Sequence, residues 1–411
     1  MTCVVRLCML LLLFGIASSA TAASSPRVLN GIDVLRASRF RVLSGKRVGL
    51  ITNHTGRAAD GKTTIELLFR SDVCELVALF SPEHGITGTM DEEFGSSTDH
   101  TTSLPVYSLY GAAKRPTPAM LKNIDALVFD IQDVGARFYT YITTMAYCME
   151  EASKARIPFY VLDRPNPIGG NRVQGPMLDP DKTSFVGYMP LPVRHGMTVG
   201  ELARYFNIAN RIGVELHVIE MEGWARSYYF WDTGQVFRNP SPNLRNMVEV
   251  LLYPGVCLLE FTNVSVGRGT DRPFEVVGAP WIDPYRLATE LETRRIPGVK
   301  FVPMFFTPDA GRHKGTDCGG VNLLISNTEE LDPVFLGLSL ISTLRKLYPD
   351  AFEIARVMDL LGNAKAMKEL EQGKTPSEVL RNGRDRLRDF MEEREKVLIY
   401  GESPRSKKGR D

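Results

Sequence analysis

The sequence predicts an α/β fold, a parallel sheet with crossover helices, followed by a second, smaller α+β domain. Three observations carry this. Between about Gly45 and Pro165, short apolar runs alternate with helical segments, as strands joined by crossover helices do. Each of the best runs stops at a cluster of polar residues. After about Glu222 the alternation gives way to scattered aromatics and Gly/Pro-containing loops.

Taken in order, Lys46–Ile51 reads as a strand ending in Thr52-Asn53-His54-Thr55-Gly56, and Thr63–Arg70 as a helix. Leu76–Phe80 is the next strand, stopped by Ser81-Pro82-Glu83-His84-Gly85, where Pro ends the strand and Gly permits the bend. Leu104–Leu109 is a third strand and Pro118–Asn123 a short helix. Ala126–Phe129 ends in Asp130-Ile131-Gln132-Asp133, and Tyr139–Lys154 is a helix. Phe159–Leu162 ends in Asp163-Arg164-Pro165-Asn166. Residues 166–195, rich in Gly and Pro, form a long connection over the same edge. Thr198 with Glu201 three positions later is a capping box opening a helix to about Ala209, and Val214–Glu220 returns as a strand. Gly255–Thr262 reads as a strand and Phe274–Trp281 as irregular. Strands near Val299–Phe306 and Gly320–Ile325 follow, then helices from Pro333. The expected division is a leader at 1–23, a Rossmann-like catalytic domain at 24–221, a smaller α+β domain at 222–404 and a basic tail at 405–411. The site is expected in the cleft between the two domains.

The chain has 411 residues, 44% hydrophobic and 24% charged, with net charge +1. That near-neutral balance gives no field for nucleic acid or an anionic membrane. Arg6, the apolar run Leu7–Phe14 and Ala20-Thr21-Ala22 have the order of a secretory leader, too short for a membrane span. Periplasmic or secreted location is expected, with no membrane span after cleavage. Cys3 and Cys8 fall in the leader. Cys74 and Cys148 sit among apolar residues, and a Cys257–Cys318 bridge stays open because an oxidising compartment permits it.

The polar strand ends carry the chemistry, because open α/β sheets bind ligands beyond the carboxyl ends of their strands. Glu83, flanked by Phe80 and Ile86, is the best proton donor; desolvation there raises a carboxyl pKa. Glycosidic cleavage commonly uses two carboxyl groups, or one plus a group of the substrate. Asp130, Asp133 and Asp163 are candidates for the second, against the plainer reading that strand-end Asp caps the next helix. Glu83, His84 and Asp133 are the expected catalytic residues. Asn53, Asp130, Gln132, Arg137, Tyr139, Arg164, Asn166, His195 and Arg268 are the expected substrate contacts. Arg137, Arg164, Arg194 and Arg268 suit an anionic group, or an ion pair with one of the acids. Tyr139, Tyr141, Trp224 and Trp231 suit a sugar face, or the core. His54, His84, His100 and His195 form no HExxH, so no metal is expected. There is no G-x-S-x-G, no Walker loop and no G-x-G-x-x-G, so no cofactor is expected either.

Eight strings in order then matter together: TNHTG (Thr52–Gly56), SPEHG (Ser81–Gly85), FDIQDVGARFYTYI (Phe129–Ile142), DRPNPIGG (Asp163–Gly170), RHGMT (Arg194–Thr198), SPN (Ser241–Asn243), TNVSVGRGT (Thr262–Thr270) and GAPW (Gly278–Trp281). With them the chain resembles the exo-β-N-acetylmuramidase family of peptidoglycan glycosidases from Gly31 to about Gly320. The resemblance implies a Rossmann-like domain, a smaller second domain and a cleft between them. It implies release of N-acetylmuramic acid from the non-reducing end of peptidoglycan fragments, with the family's active-site glutamate at Glu83. Two rivals remain at this level: an exported, non-catalytic sugar- or muropeptide-binding protein, and a metal-using cell-wall amidase or esterase.

Overall fold

The structure, a computed structural model, describes residues 28–89 and 95–403; the expected leader and basic tail lie outside the described residues. A seven-stranded sheet runs in the order β3-β4-β2-β1-β5-β6-β9. Its strands are β1 (Arg47–Thr52), β2 (Glu75–Ser81), β3 (Ser97–Thr98), β4 (Pro105–Ser108), β5 (Ala126–Asp130), β6 (Phe159–Leu162) and, after a β7–β8 hairpin (Gln174–Met177 and Pro192–Arg194), β9 (Leu216–Ile219). All neighbours are parallel except β3 and β4.

The central strands read as near-continuous apolar runs because both faces are covered. Val48 and Leu50 of β1 and Val128 of β5 face one apolar cluster with Ile32, Leu35 and Leu68, while Ile51, Phe80, Leu127 and Phe129 face the other. Register levels the tips: Ile51 pairs with Phe80, and Thr52 with Asp130. The loops that leave β1, β2, β5 and β6 therefore emerge along one edge.

The second unit is an antiparallel sheet, β10 (Val276–Ala279), β12 (Cys318–Ile325) and β11 (Val299–Phe306), with helices Pro284–Thr293 and Pro333–Leu347. β10 lies in the stretch expected to be irregular. One apolar cluster runs from Phe80 and Phe129 through Leu252 and Val277 to Leu340 and Val397, so a shared core joins the two units.

Besides β10, a second element differs from expectation. Gly255–Thr262 is not a strand: helix Met247–Val256 runs into a 3-10 turn, Cys257–Leu259. The run is buried all round, so its period is hidden. Asn246 caps the helix through Val248 and Glu249, and Glu249 completes a capping box. Gly255 is where this helix meets Pro333–Leu347: a Cβ there would fall 1.7 Å from the Pro333 carbonyl oxygen. The four cysteines of the described chain are buried and free, so Cys257 and Cys318 are not bridged.

Candidate active site

Glu83 follows β2 in a tight turn. His84 and Gly85 both adopt left-handed backbone (φ 69° and 75°), the His without glycine's freedom. Strain of this kind persists where the surroundings impose it, and it gathers at functional sites. Glu83 is half-buried, and its Oε2 accepts a 2.5 Å hydrogen bond from Thr140 Oγ1. Thr140 is the N-cap residue of helix Tyr141–Ala155, yet its side chain makes no cap bond. The hydroxyl is given to the glutamate instead.

Around Glu83 stand three buried phenols. Tyr139 packs edge-on to Tyr141 (centroids 4.7 Å apart) and to Tyr253 (5.9 Å). Burial pushes all three phenols up, so they are neutral. The charge of Glu83 adds to the shift at Tyr141 and Tyr253. Tyr141 donates to the Pro240 carbonyl (2.9 Å). Asn53 Oδ1 accepts from the Thr55 backbone and hydroxyl, and its amide lies against the Tyr141 hydroxyl. His54, whose neighbours include His84, has a ring that Gly88 alone can accommodate: a Cβ at 88 would sit 1.8 Å from it.

Asp133 is almost enclosed, with Oδ2 accepting from the Gly135 N–H (2.8 Å) and lying 3.4 Å from His195 Nε2. His195 Nδ1 accepts from the Met197 N–H (3.2 Å), which places the ring proton on Nε2, facing Asp133. Tyr139 feels the Asp133 charge. Glu83, Asn53, Tyr139, Asp133 and His195 are thus linked through adjacent side chains.

Other expected site residues have structural work. Asp130 is wholly buried and takes Arg164 Nε (2.5 Å), Arg164 Nη2 (3.0 Å) and the Thr64 hydroxyl. Gln132 Nε2 donates to the carbonyls of Asp133 (2.8 Å) and Pro165 (2.7 Å). Asn166 donates to the Met197 carbonyl (2.9 Å). Arg137 calls for a correction: its hydrogen bonds go to backbone carbonyls rather than to an anion. Its guanidinium is buried and donates to the carbonyls of Pro176, Leu191, Leu360 and Leu361 at 3.2, 2.9, 2.6 and 2.9 Å. Burial lowers its pKa to about 9. Of the aromatics, Trp224 is buried against Tyr400, whereas Trp231 is exposed and stacked on Tyr229.

Two cavities are lined in part by other expected site residues. One, of about 240 Å³, has Arg57, Gln132, Arg164 and Arg238 in its wall. The other, of about 650 Å³, is lined by Asn243, Glu260, Ser265, Arg268, Arg312 and His313. Arg268 lines this cavity and its fork is held: Nη1 donates to Glu260 Oε1, and with the Asn243 amide turned so that its oxygen faces the guanidinium, Nε and Nη2 donate to that oxygen at 3.2 and 3.0 Å. Sequence reasoning missed Thr140, Tyr253, Asn243 and Glu260 as site residues. Thr140 and Asn243 lie inside two of the quoted strings and Glu260 stands two residues before a third, whereas Tyr253 carries no local signal.

Known proteins resemble the chain over most of its length. Residues 48–248 match the family described as exo-beta-N-acetylmuramidase NamZ, N-terminal, and residues 251–400 its C-terminal counterpart. The peptidoglycan beta-N-acetylmuramidase NamZ of Bacillus subtilis is 44% identical over 403 residues, covering 95% of this chain and 97% of that protein. Two crystal structures of DUF1343 family proteins from Bacteroides fragilis superpose with TM-scores of 0.85 and 0.74, at 35% and 32% identity. They cover 91% and 92% of this chain and 99% of each of theirs. The chain belongs to the exo-β-N-acetylmuramidase NamZ family.

Proposed function

We infer that the chain is an exo-acting glycosidase that releases N-acetylmuramic acid from the non-reducing end of peptidoglycan fragments. The observation that carries this is the 44% identity to the Bacillus subtilis enzyme across 95% of the chain. A half-buried glutamate at a strand tip, in a strained turn, fits the chemistry. Glu83 gives its proton to the glycosidic oxygen as the C1–O bond breaks. The Thr140 hydroxyl fixes the carboxyl's orientation, and the buried phenols exclude water from its flank.

Muramic acid carries a lactyl carboxylate that N-acetylglucosamine lacks. Arg57 and Arg238 in one cavity, and Arg312 in the other, supply positive charge for it. A site that pairs a charge rejects the analogue lacking it. Asp133 and His195 form a buried pair, and the Asp133 charge reaches Tyr139. Export to the periplasm or exterior accords with the leader-like order of residues 1–23 and puts the enzyme beside its polymer.

Mass spectrometry of digested glycan oligomers tests the reading. Loss of one terminal muramic acid at a time is expected, and tight binding without turnover would overturn it.

A further inference from the structure

We propose that Glu260 is the second catalytic carboxylate of this glycosidase, facing the bond from the side opposite Glu83; the inference rests on the glycosidase reading above.

A short relay of contacts links the two acids. Glu83 is held by Thr140, and the next residue, Tyr141, donates to the Pro240 carbonyl. Three residues on, Asn243 accepts from Arg268, and Arg268 donates to Glu260. A chain advances at most about 3.6 Å per residue. Residues 240 and 243 are therefore within about 11 Å, and less here because Ser241 and Leu244 bridge across a turn. Tyr253 has both acids as neighbours: the charges of Glu83 and Glu260 each reach its phenol.

Glu260 is also built for the role. It sits at the end of the 3-10 turn Cys257–Leu259, on the wall of the cavity of about 650 Å³, with 18% of its side chain exposed. Its Oε1 takes Arg268 and its Oε2 takes Cys257 Sγ at 3.0 Å, so its orientation is set from both oxygens. Arg268 is set in turn by Asn243. Asp133, the alternative, is 3% exposed and faces His195.

In the reaction the C1–O bond leaves its electron pair on the glycosidic oxygen, which takes the proton of Glu83. Water bonds to C1 through its oxygen, and its proton passes to Glu260. Arg268 is a positioning residue.

The test compares Glu83→Gln and Glu260→Gln on a muramic-acid disaccharide and on an aryl muramic-acid glycoside whose phenol leaves unaided. Glu83→Gln should lose about a hundredfold or more in kcat on the disaccharide and recover much of it on the aryl glycoside. Glu260→Gln should lose about a hundredfold on both, because a good leaving group does not replace the carboxylate. Added azide should restore aryl-glycoside cleavage by Glu260→Ala about tenfold or more, with a glycosyl azide as product. That readout also keeps the inference testable if the Gln variant unfolds. Glu260→Gln within about threefold of wild type, or Glu260→Ala unmoved by azide, would overturn the proposal. A wild-type chain that frees no muramic acid would instead overturn the underlying reading.

Discussion

Asp130 and Glu83 leave strands that flank β1, at one edge of the sheet, yet their surroundings are opposite. Asp130 is wholly buried and saturated by Arg164 and Thr64, with Arg164 donating further to the Arg57 carbonyl (2.9 Å). Asp163, at the tip of β6, is equally enclosed. It accepts from the Thr198 hydroxyl (2.8 Å), the Gly200 and Arg164 N–H groups (2.8 and 2.9 Å) and the Tyr400 hydroxyl (2.7 Å). Glu83 is half-buried on a strained turn, with Thr140 holding one oxygen. A carboxylate whose lone pairs are all taken holds a fold together. One fixed through a single oxygen keeps the other for a further partner. Position at a strand tip is common to both; partner count separates them.

Two substitutions should break this contrast most sharply. Glu83→Gln should lower kcat by about 10²–10⁴, the usual worth of a positioned acid, while thermal unfolding stays near wild type because Gln Oε1 still accepts from Thr140. Asp130→Ala should do the reverse. It strands a buried Arg164 charge, a loss of about 3–5 kcal/mol in urea-unfolding free energy. Activity in whatever fraction remains folded should survive. An Asp130 variant of full stability and no activity would erase the distinction between the two tips.

The parallel core was legible because burial on both faces writes itself as apolar runs. Val48–Ile51 and Ala126–Phe129 needed no other cue, and the Thr198–Glu201 box marked its helix correctly. Glu83 was legible for the same reason, standing where a run stopped. Met247–Val256 was not, since its side chains are buried on nearly every face and Pro254-Gly255 mimics a loop, although Asn246 and Glu249 spelled a helix start. Arg137 was misread because its acceptors include the carbonyls of Leu360 and Leu361, far along the chain and unmarked by side-chain type. Arg268 was expected to meet an anionic group or an acid, but which partners it has, Asn243 and Glu260, is set only by tertiary packing.

A pH series sharpens the structural half of the comparison. Burial outweighs the donors around Asp163 and raises its pKa from 3.8 to about 7. The folded state therefore binds more protons than the unfolded chain between those values. This group's contribution to stability is largest at acid pH and falls as pH rises from about 4 to about 7. In urea titrations across that window, Asp163→Asn should lack this downward slope. An unchanged slope would mean that the four donors, rather than burial, set the charge of Asp163.

The smallest effect is the most specific. Thr140→Val keeps the shape of the side chain and removes the hydroxyl that Glu83 accepts from. An ordinary N-cap threonine would cost about 1 kcal/mol of stability on losing its oxygen. Here the side chain caps nothing, so the melting temperature should hold. The missing bond should appear in catalysis alone, as about a tenfold fall in kcat/KM, since a hydrogen bond to a charged group is worth about 1.5 kcal/mol or more. A variant that melts early with unchanged kcat/KM would assign Thr140 to the helix rather than to Glu83. The orientation of the half-buried acid would then have to be set by something other than this hydroxyl.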